Sequence, residues 1–272
     1  MRTEDNIKLE VPYNFDIEYL KLLDKLELLD KYIDFIYTCP YIDDYKTVVR
    51  GSSYFANELS RDEYEFHMNQ MKKYAHGKMQ LLLQSRNSIM PVNLLQYYIN
   101  LGFTAFCCGS PQQAKLIKEY DSSLTTIASI VLHADEEKLV SPDWDCFDYV
   151  VLDFKFGRDL ERIKNLPKRK YIILANSFCN VACDGDRHWF LNSINDYVQC
   201  PGKYTANPKD FKDCILIRPM DLKFFNNYIS VYKIQDRAWT TERLIRDIIL
   251  YTTNFECYPG INYDEALYEN NE

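Results

Sequence analysis

Cysteine thiolates are soft ligands that suit iron–sulfur clusters and zinc. Four of the chain's nine cysteines are grouped in a way that could hold either. Cys179 and Cys183 have three residues between them, Cys200 follows seventeen positions on, and Cys214 opens the next apolar run. Read together, Cys179, Cys183, Cys200 and Cys214 form a candidate metal site, with a 4Fe-4S cluster as the first reading and zinc as the alternative. Four thiolates would close a zinc shell and make that ion structural. The plain reading is four unrelated thiols, because free cysteine is a common small buried residue.

Composition narrows the partners. The 272 residues carry a formal charge of −8, which is poorly suited to gripping a phosphate backbone over a wide face. Lys164 and Lys168-Arg169-Lys170 form the clearest basic cluster and read as the solvated end of a helix and its loop. No apolar run approaches the length of a membrane span, so no membrane partner is expected. The opening Met1-Arg2-Thr3-Glu4-Asp5-Asn6 is polar rather than signal-like. With an odd number of cysteines, this points to a reducing, cytoplasmic setting in which clustered thiols are ligands rather than disulfides.

The elements that must position such a site follow a regular beat. An amphipathic helix is predicted from Phe15 to Leu29, with Ile17, Leu20, Leu23, Leu26 and Leu29 along one stripe. Short apolar runs then recur as predicted strands at Ile33–Tyr37, Met79–Leu83, Thr104–Cys107, Leu124–Ile130, Asp148–Leu152, Tyr171–Leu174, Ile215–Ile217 and Ser230–Ile234. Helical patterns follow nearly all of them, with Gly102 as a stop and Ser110-Pro111 as a start. Runs that are apolar throughout suit parallel strands covered on both faces. Eight such units predict an α/β fold, a TIM-like (β/α)8 barrel in a single domain, with about ten residues at each end peripheral. A doubly wound open sheet is the alternative, weakened by the lack of a Gly-x-Gly-x-x-Gly after the first strand.

Barrel sites lie at the carboxyl ends of strands. Those ends carry Gln84, Arg86 and Asn87; His133; Asp153, Lys155 and Arg158; Asn176, Cys179 and Cys183; Arg218 and Asp221; and Asp236 and Arg237. The arginines could converge on a carboxylate or phosphate through fork-shaped contacts, or pair with Asp153, Asp221 and Asp236 around the rim. Asp221 reads first as a helix cap, and His133 as an ordinary loop residue. Cys107 and Cys108 are strand neighbours, so at most one can face the barrel interior. Cys146 and Cys257 read as plain thiols. No serine or cysteine has a convincing base beside it in sequence, and there is no His-Glu-x-x-His.

Several segments resemble the collagenase-like peptidase U-32 family. These are Gln84-Ser85 with Asn87, Asn176-x-x-Cys179-x3-Cys183, and Arg187-His188. Further on come Ile217-Arg218-Pro219-Met220-Asp221-Leu222 and Tyr232-Lys233-Ile234-x-x-Arg237. The similarity runs from about Val11 to Asn254. It implies a TIM-like barrel and a cluster held by Cys179, Cys183 and Cys200, with Cys214 or Cys39 as fourth ligand. It also implies oxygen-independent hydroxylation of bases or quinone rings, or a related redox modification, with peptide hydrolysis as an alternative. On this basis Arg218, Arg237 and Asp221 are the expected catalytic residues, and Gln84, Arg86, Asn87 and Asn176 the expected substrate contacts. The substrate would be a small anionic molecule, a peptide or a modified base. The chain departs from the family at Asp184-Gly185-Asp186, at Met220 in place of a glutamate and at Asp236 in place of a glycine. A non-catalytic accessory role beside a protein partner is the third reading.

Overall fold

The computed structural model describes residues 7–44, 59–75, 77–85, 88–177, 215–235 and 240–253, with Lys155 described by its backbone only. Eight parallel strands close into a barrel in sequence order: β1 (Leu9–Pro12), β2 (Ile33–Thr38), β3 (Met79–Leu83), β4 (Ala105–Cys108), β5 (Thr125–Ala128), β6 (Tyr149–Val151), β7 (Tyr171–Leu174) and β8 (Val231–Lys233). The predicted (β/α)8 architecture is what the chain forms. The described helices are α1 (Ile17–Lys25), α2 (Leu28–Tyr32), α3 (Arg61–Ala75), α4 (Val92–Leu101), α5 (Pro111–Tyr120), α6 (Glu136–Val140), α7 (Leu160–Lys164), α8 (Leu222–Phe225) and α9 (Thr241–Thr252).

The strands lack polar alternation because both faces are covered. All five residues of β3 are buried, for example. One face packs into the barrel interior, where Tyr37, Leu82, Cys107, Ile127 and Ile172 meet. The other packs under the helices, where Leu9, Val11, Leu81, Phe106 and Cys108 lie. Cys107 and Cys108 therefore face opposite ways, as their adjacency requires.

Local signals place several helix ends. Ser110 caps α5 by accepting from the Gln113 N–H at 3.2 Å, with Pro111 in the first turn. Gly102 ends α4 with φ at 108°. The predicted helix over residues 15–29 is instead two helices, because Glu27 adopts a left-handed backbone with φ at 56° between α1 and α2.

Strand membership differs from the sequence reading at two places. Residues 9–12 form β1, although Leu9 and Glu10 fall in the stretch expected to be peripheral. Ile215–Ile217 is not a barrel strand. β8 pairs directly with β7, through Ile172–Val231, Ile173–Tyr232 and Leu174–Lys233, and takes the ladder that Ile215–Ile217 would need. That segment keeps one bond to the end of β7, from the Ile217 N–H to the Ala175 carbonyl at 3.0 Å. Ile215 instead packs with Val131 and Phe154 in the interior apolar cluster.

Gly109 sets the approach of the β3 and β4 ends. A Cβ there would lie 2.5 Å from the Ser85 carbonyl oxygen and 2.7 Å from the Gln84 carbonyl carbon, both backbone atoms that cannot turn away. Gly109→Ala is expected to destabilise the fold by about 1–3 kcal/mol, measured as a lower urea midpoint with an unchanged slope.

Candidate functional site

Barrel interiors are normally filled by branched apolar side chains, yet three polar ones share this one. Leu9 and Val11 pack outward, so the period of two turns Glu10 inward. Lys233, its partner in register on β8, donates to Glu10 Oε1, and Gln80 Nε2 on β3 donates to the same oxygen at 3.1 Å. The Lys233 ammonium also sits 4.0 Å from the centroid of the Tyr37 ring. Tyr37 in turn donates its hydroxyl to the Ile234 carbonyl at 2.8 Å. The lysine and glutamate side chains are 8% and 0% exposed. Such a pair holds only where hydrogen bonds offset desolvation.

Cys107 lies beside this pair. Burial is the largest cause that pushes its thiol up to about 11; Lys233 opposes the shift and Glu10 adds to it. It is a neutral buried thiol at neutral pH and not an activated nucleophile.

The carboxyl-end rim is built by β5 to β8 and the segments after them. After β6, Asp153 continues the inward face of Val151, and its carboxylate Oδ2 lies 2.6 Å from His133 Nδ1. Their side chains are 4% and 16% exposed. His133 ends the 3-10 turn after β5 with φ at 47°, a left-handed backbone. In a non-glycine residue that costs about 1–3 kcal/mol and persists only where the surroundings over-determine it. The Lys138 ammonium helps to hold it, donating to the carbonyls of Leu132 at 3.2 Å and His133 at 2.7 Å.

Beyond β7, Asn176 accepts from the Gln235 N–H at 2.7 Å and reaches Asp247 of α9 at 3.4 Å. Tyr251, one turn further along α9, donates to the Ile217 carbonyl at 2.8 Å. Asn14, after β1, donates to Thr241 at the start of the same helix at 3.1 Å. One helix thus ties together the ends of β7 and β1 and the segment Ile215–Ile217.

Arg218 emerges from this anchored segment and forks onto Asp221, Nε to Oδ2 at 2.6 Å and Nη2 to Oδ1 at 2.8 Å, with both side chains buried. Asp221 does not cap α8; no side-chain cap bond is made there. Its carboxylate is engaged by Arg218, and that is why the cap expected from sequence fails. The rim pairing weighed for Arg218 is the one formed.

Of the expected site residues, Gln84, Asn176, Arg218 and Asp221 are placed, all at the carboxyl end. Gln84 is buried beside the Cys107 thiol, with which it hydrogen bonds. Arg86, Asn87, Cys179, Cys183, Cys200, Cys214, Asp236 and Arg237 lie outside the described residues. Cys39, the rival fourth ligand, is buried, and its carbonyl accepts from the Tyr64 hydroxyl at 2.8 Å. Among the described residues, no group of three or more His, Cys, Asp or Glu side chains is placed to hold a metal ion. No described helix is long and apolar enough to cross a membrane.

Two pairs were missed from sequence, Glu10–Lys233 and His133–Asp153. The alternation Ile7, Leu9, Val11 was a strand signal that would have turned Glu10 inward. For His133 no comparable local signal exists, because its partner comes from the next strand.

No family model matches the chain, and no curated protein matches its sequence. Solved structures match in fold. The U32 peptidase Mk0906 superposes with a TM-score of 0.51 at 13% identity, covering 86% of this chain and 94% of its own. A mutant tryptophan synthase alpha-subunit from the hyperthermophile Pyrococcus furiosus gives a TM-score of 0.52 at 13% identity, covering 93% and 100%. At such identities the likeness is one of fold alone.

Lys233→Met should cost about 3–5 kcal/mol in urea unfolding, because it strands the Glu10 charge in the barrel. The double variant Glu10→Gln/Lys233→Met should recover a large part of that loss. Cys107 should resist iodoacetamide in the native chain and react once the chain is unfolded, as read by mass spectrometry.

Proposed function

We propose that this barrel is an iron–sulfur enzyme of the U32-like kind that works at its carboxyl-end mouth. The reaction we assign is an oxygen-independent hydroxylation or a related redox modification of a small anionic molecule or a modified base. The observation that carries the reading is the bond from Ile217 to Ala175, reinforced by Tyr251 on the Ile217 carbonyl. Through it the chain leaves the described body at Ser177 and returns at Ile215 in one place, beside the mouth. Cys179 follows Ser177 by two residues, and Cys214 immediately precedes Ile215. The described residues on either side of the cysteine-bearing stretch, Ser177 and Ile215, are therefore held at the rim where barrel chemistry occurs.

In this reading Cys179, Cys183 and Cys200, with Cys214 as fourth ligand and Cys39 as its rival, would hold the cluster. Thiolates are the donors a 4Fe-4S cluster requires, and when bound it supplies one-electron chemistry. Arg237 would anchor the anionic substrate or oxygen donor. Arg218, its fork taken up by Asp221, would shape the rim rather than grip a ligand. Gln84 and Asn176 would line the mouth from opposite strands.

Anaerobic purification and reconstitution test the reading. The expected product is a brown protein with iron and acid-labile sulfide in equal amounts, and Cys179→Ala should lose both. A colourless chain without iron after reconstitution would falsify the cluster. Peptide hydrolysis that survives chelators and Cys179→Ala would move the assignment to a hydrolase. A co-purifying partner with no turnover by this chain alone would move it to an accessory subunit.

A further inference from the structure

We infer that the contact between Tyr13 and His67 is a pH-sensitive latch. It holds the turn after β1 while His67 is neutral and lets that turn loosen when His67 takes up a proton. The latch works without the cysteines.

Tyr13 directly follows β1, and its side chain is buried. Its backbone N–H donates to the Tyr37 carbonyl at 2.9 Å. Its hydroxyl lies 2.8 Å from Nδ1 of His67, a half-buried residue of α3. Among the described residues the hydroxyl has no other hydrogen-bond partner. Burial, with Asp16 adding to it, pushes the hydroxyl well above the usual tyrosine range, so it keeps its proton. A buried O–H needs an acceptor. Tyr13 therefore donates, and Nδ1 of neutral His67 is the bare nitrogen, with the ring proton on Nε2. Protonation turns Nδ1 from acceptor into donor. The hydroxyl can rotate to accept, but its own hydrogen is then buried without a partner. The charge on His67 and the bond from Tyr13 thus compete.

The charged groups that face the ring are Glu63 on α3 and Asp16 at the start of α1, and both favour the imidazolium. Burial outweighs them and holds His67 below the usual imidazole range. His67 therefore binds its proton more weakly in the folded chain than in the unfolded one. The stability the latch supplies is present in full above about pH 6.5 and is lost as pH falls from there through the folded value.

The turn has little else to hold it in shape. Phe15 has a left-handed backbone with φ at 59°, which a bulky residue adopts only where its surroundings impose it. Its ring centroid is 5.2 Å from that of Tyr13 and 5.5 Å from that of His67. Asn14 and Asp16 on either side both bond to the Thr241 hydroxyl at the start of α9, and Asp16 also caps α1. Loosening Tyr13 and Phe15 is therefore felt at the first turn of α9, the helix whose later turns reach Asn176 and Ile217.

The test uses the full chain. The His67 15N signals, identified by their loss in His67→Asn or His67→Gln, should show the proton on Nε2 at neutral pH and a titration midpoint below about 6.5. Tyr13→Phe should raise that midpoint by about one pH unit, because the competing hydroxyl is gone. Hydrogen exchange, corrected for the intrinsic rate, should be about tenfold faster at the start of α9 below the His67 midpoint than above it. His67→Asn, whose amide oxygen can accept from Tyr13 at every pH, should abolish that difference. A neutral His67 with its proton on Nδ1 would overturn the latch. So would a midpoint that Tyr13→Phe leaves in place, or an acid loss of protection that His67→Asn retains.

Discussion

The barrel closes where its last strand meets its first, and that seam is short. Only Leu9–Tyr232 and Glu10–Lys233 pair in register between β1 and β8. The second pair is also a buried ion pair in the barrel interior. A cylinder of eight strands has no edge only if this seam holds, so much of the architecture depends on two charged residues shut away from water. The arrangement specifies as well as stabilises. A one-residue slip of β1 would turn Glu10 under the helices and leave Lys233 buried without its carboxylate. Gln80 and the Tyr37 ring complete the surroundings of the charges from β2 and β3, and so extend the seam's influence across the interior.

The same side of the barrel organises the mouth. α9 packs beside the ends of β7 and β1 and the segment after residue 214, and it reaches each of them: Asp247 to Asn176, Thr241 to Asn14 and Tyr251 to Ile217. The segment carrying Arg218 is thus held by a rigid helix rather than left as a loose loop. Its own Arg218–Asp221 pair closes it further, and Gly157, with φ at 43°, leaves room for Ile215 to pack close by. On the opposite side, His133 and Asp153 stand on neighbouring strand ends. Ile215, Val131 and Phe154 belong to the same buried apolar cluster of the interior. Polar groups in such a setting interact more strongly than they would in water.

Much of this was legible in the residues, and the limits have physical causes. Parallel strands buried on both faces announce themselves as short apolar runs, and seven of the eight were visible that way. β1 was not, because Lys8, Glu10 and Pro12 interrupt it; its inward residue is the very charge that closes the barrel. Ile215–Ile217 misled for the converse reason. It is apolar because Ile215 joins the interior cluster while Leu216 and Ile217 pack in the layer under the helices, and hydropathy alone does not separate such a segment from a strand. Asp221 stood where a cap belongs, yet a neighbouring arginine outbid the helix for its carboxylate. Glu10 and Lys233 are 223 positions apart, and His133 meets Asp153 only through strand pairing. Pairings made by the closed sheet are invisible to any local window.

The central proposal is that the cysteine-bearing stretch holds its cluster at the carboxyl-end mouth of this cylinder. Anomalous scattering at the iron edge, from crystals of anaerobically reconstituted protein, tests it most directly. The account predicts an iron peak at the carboxyl end of the barrel, beside Ser177 and Ile215 and on the same side as His133. An iron peak at the amino-terminal end, or on the outer face of the helices, would contradict it.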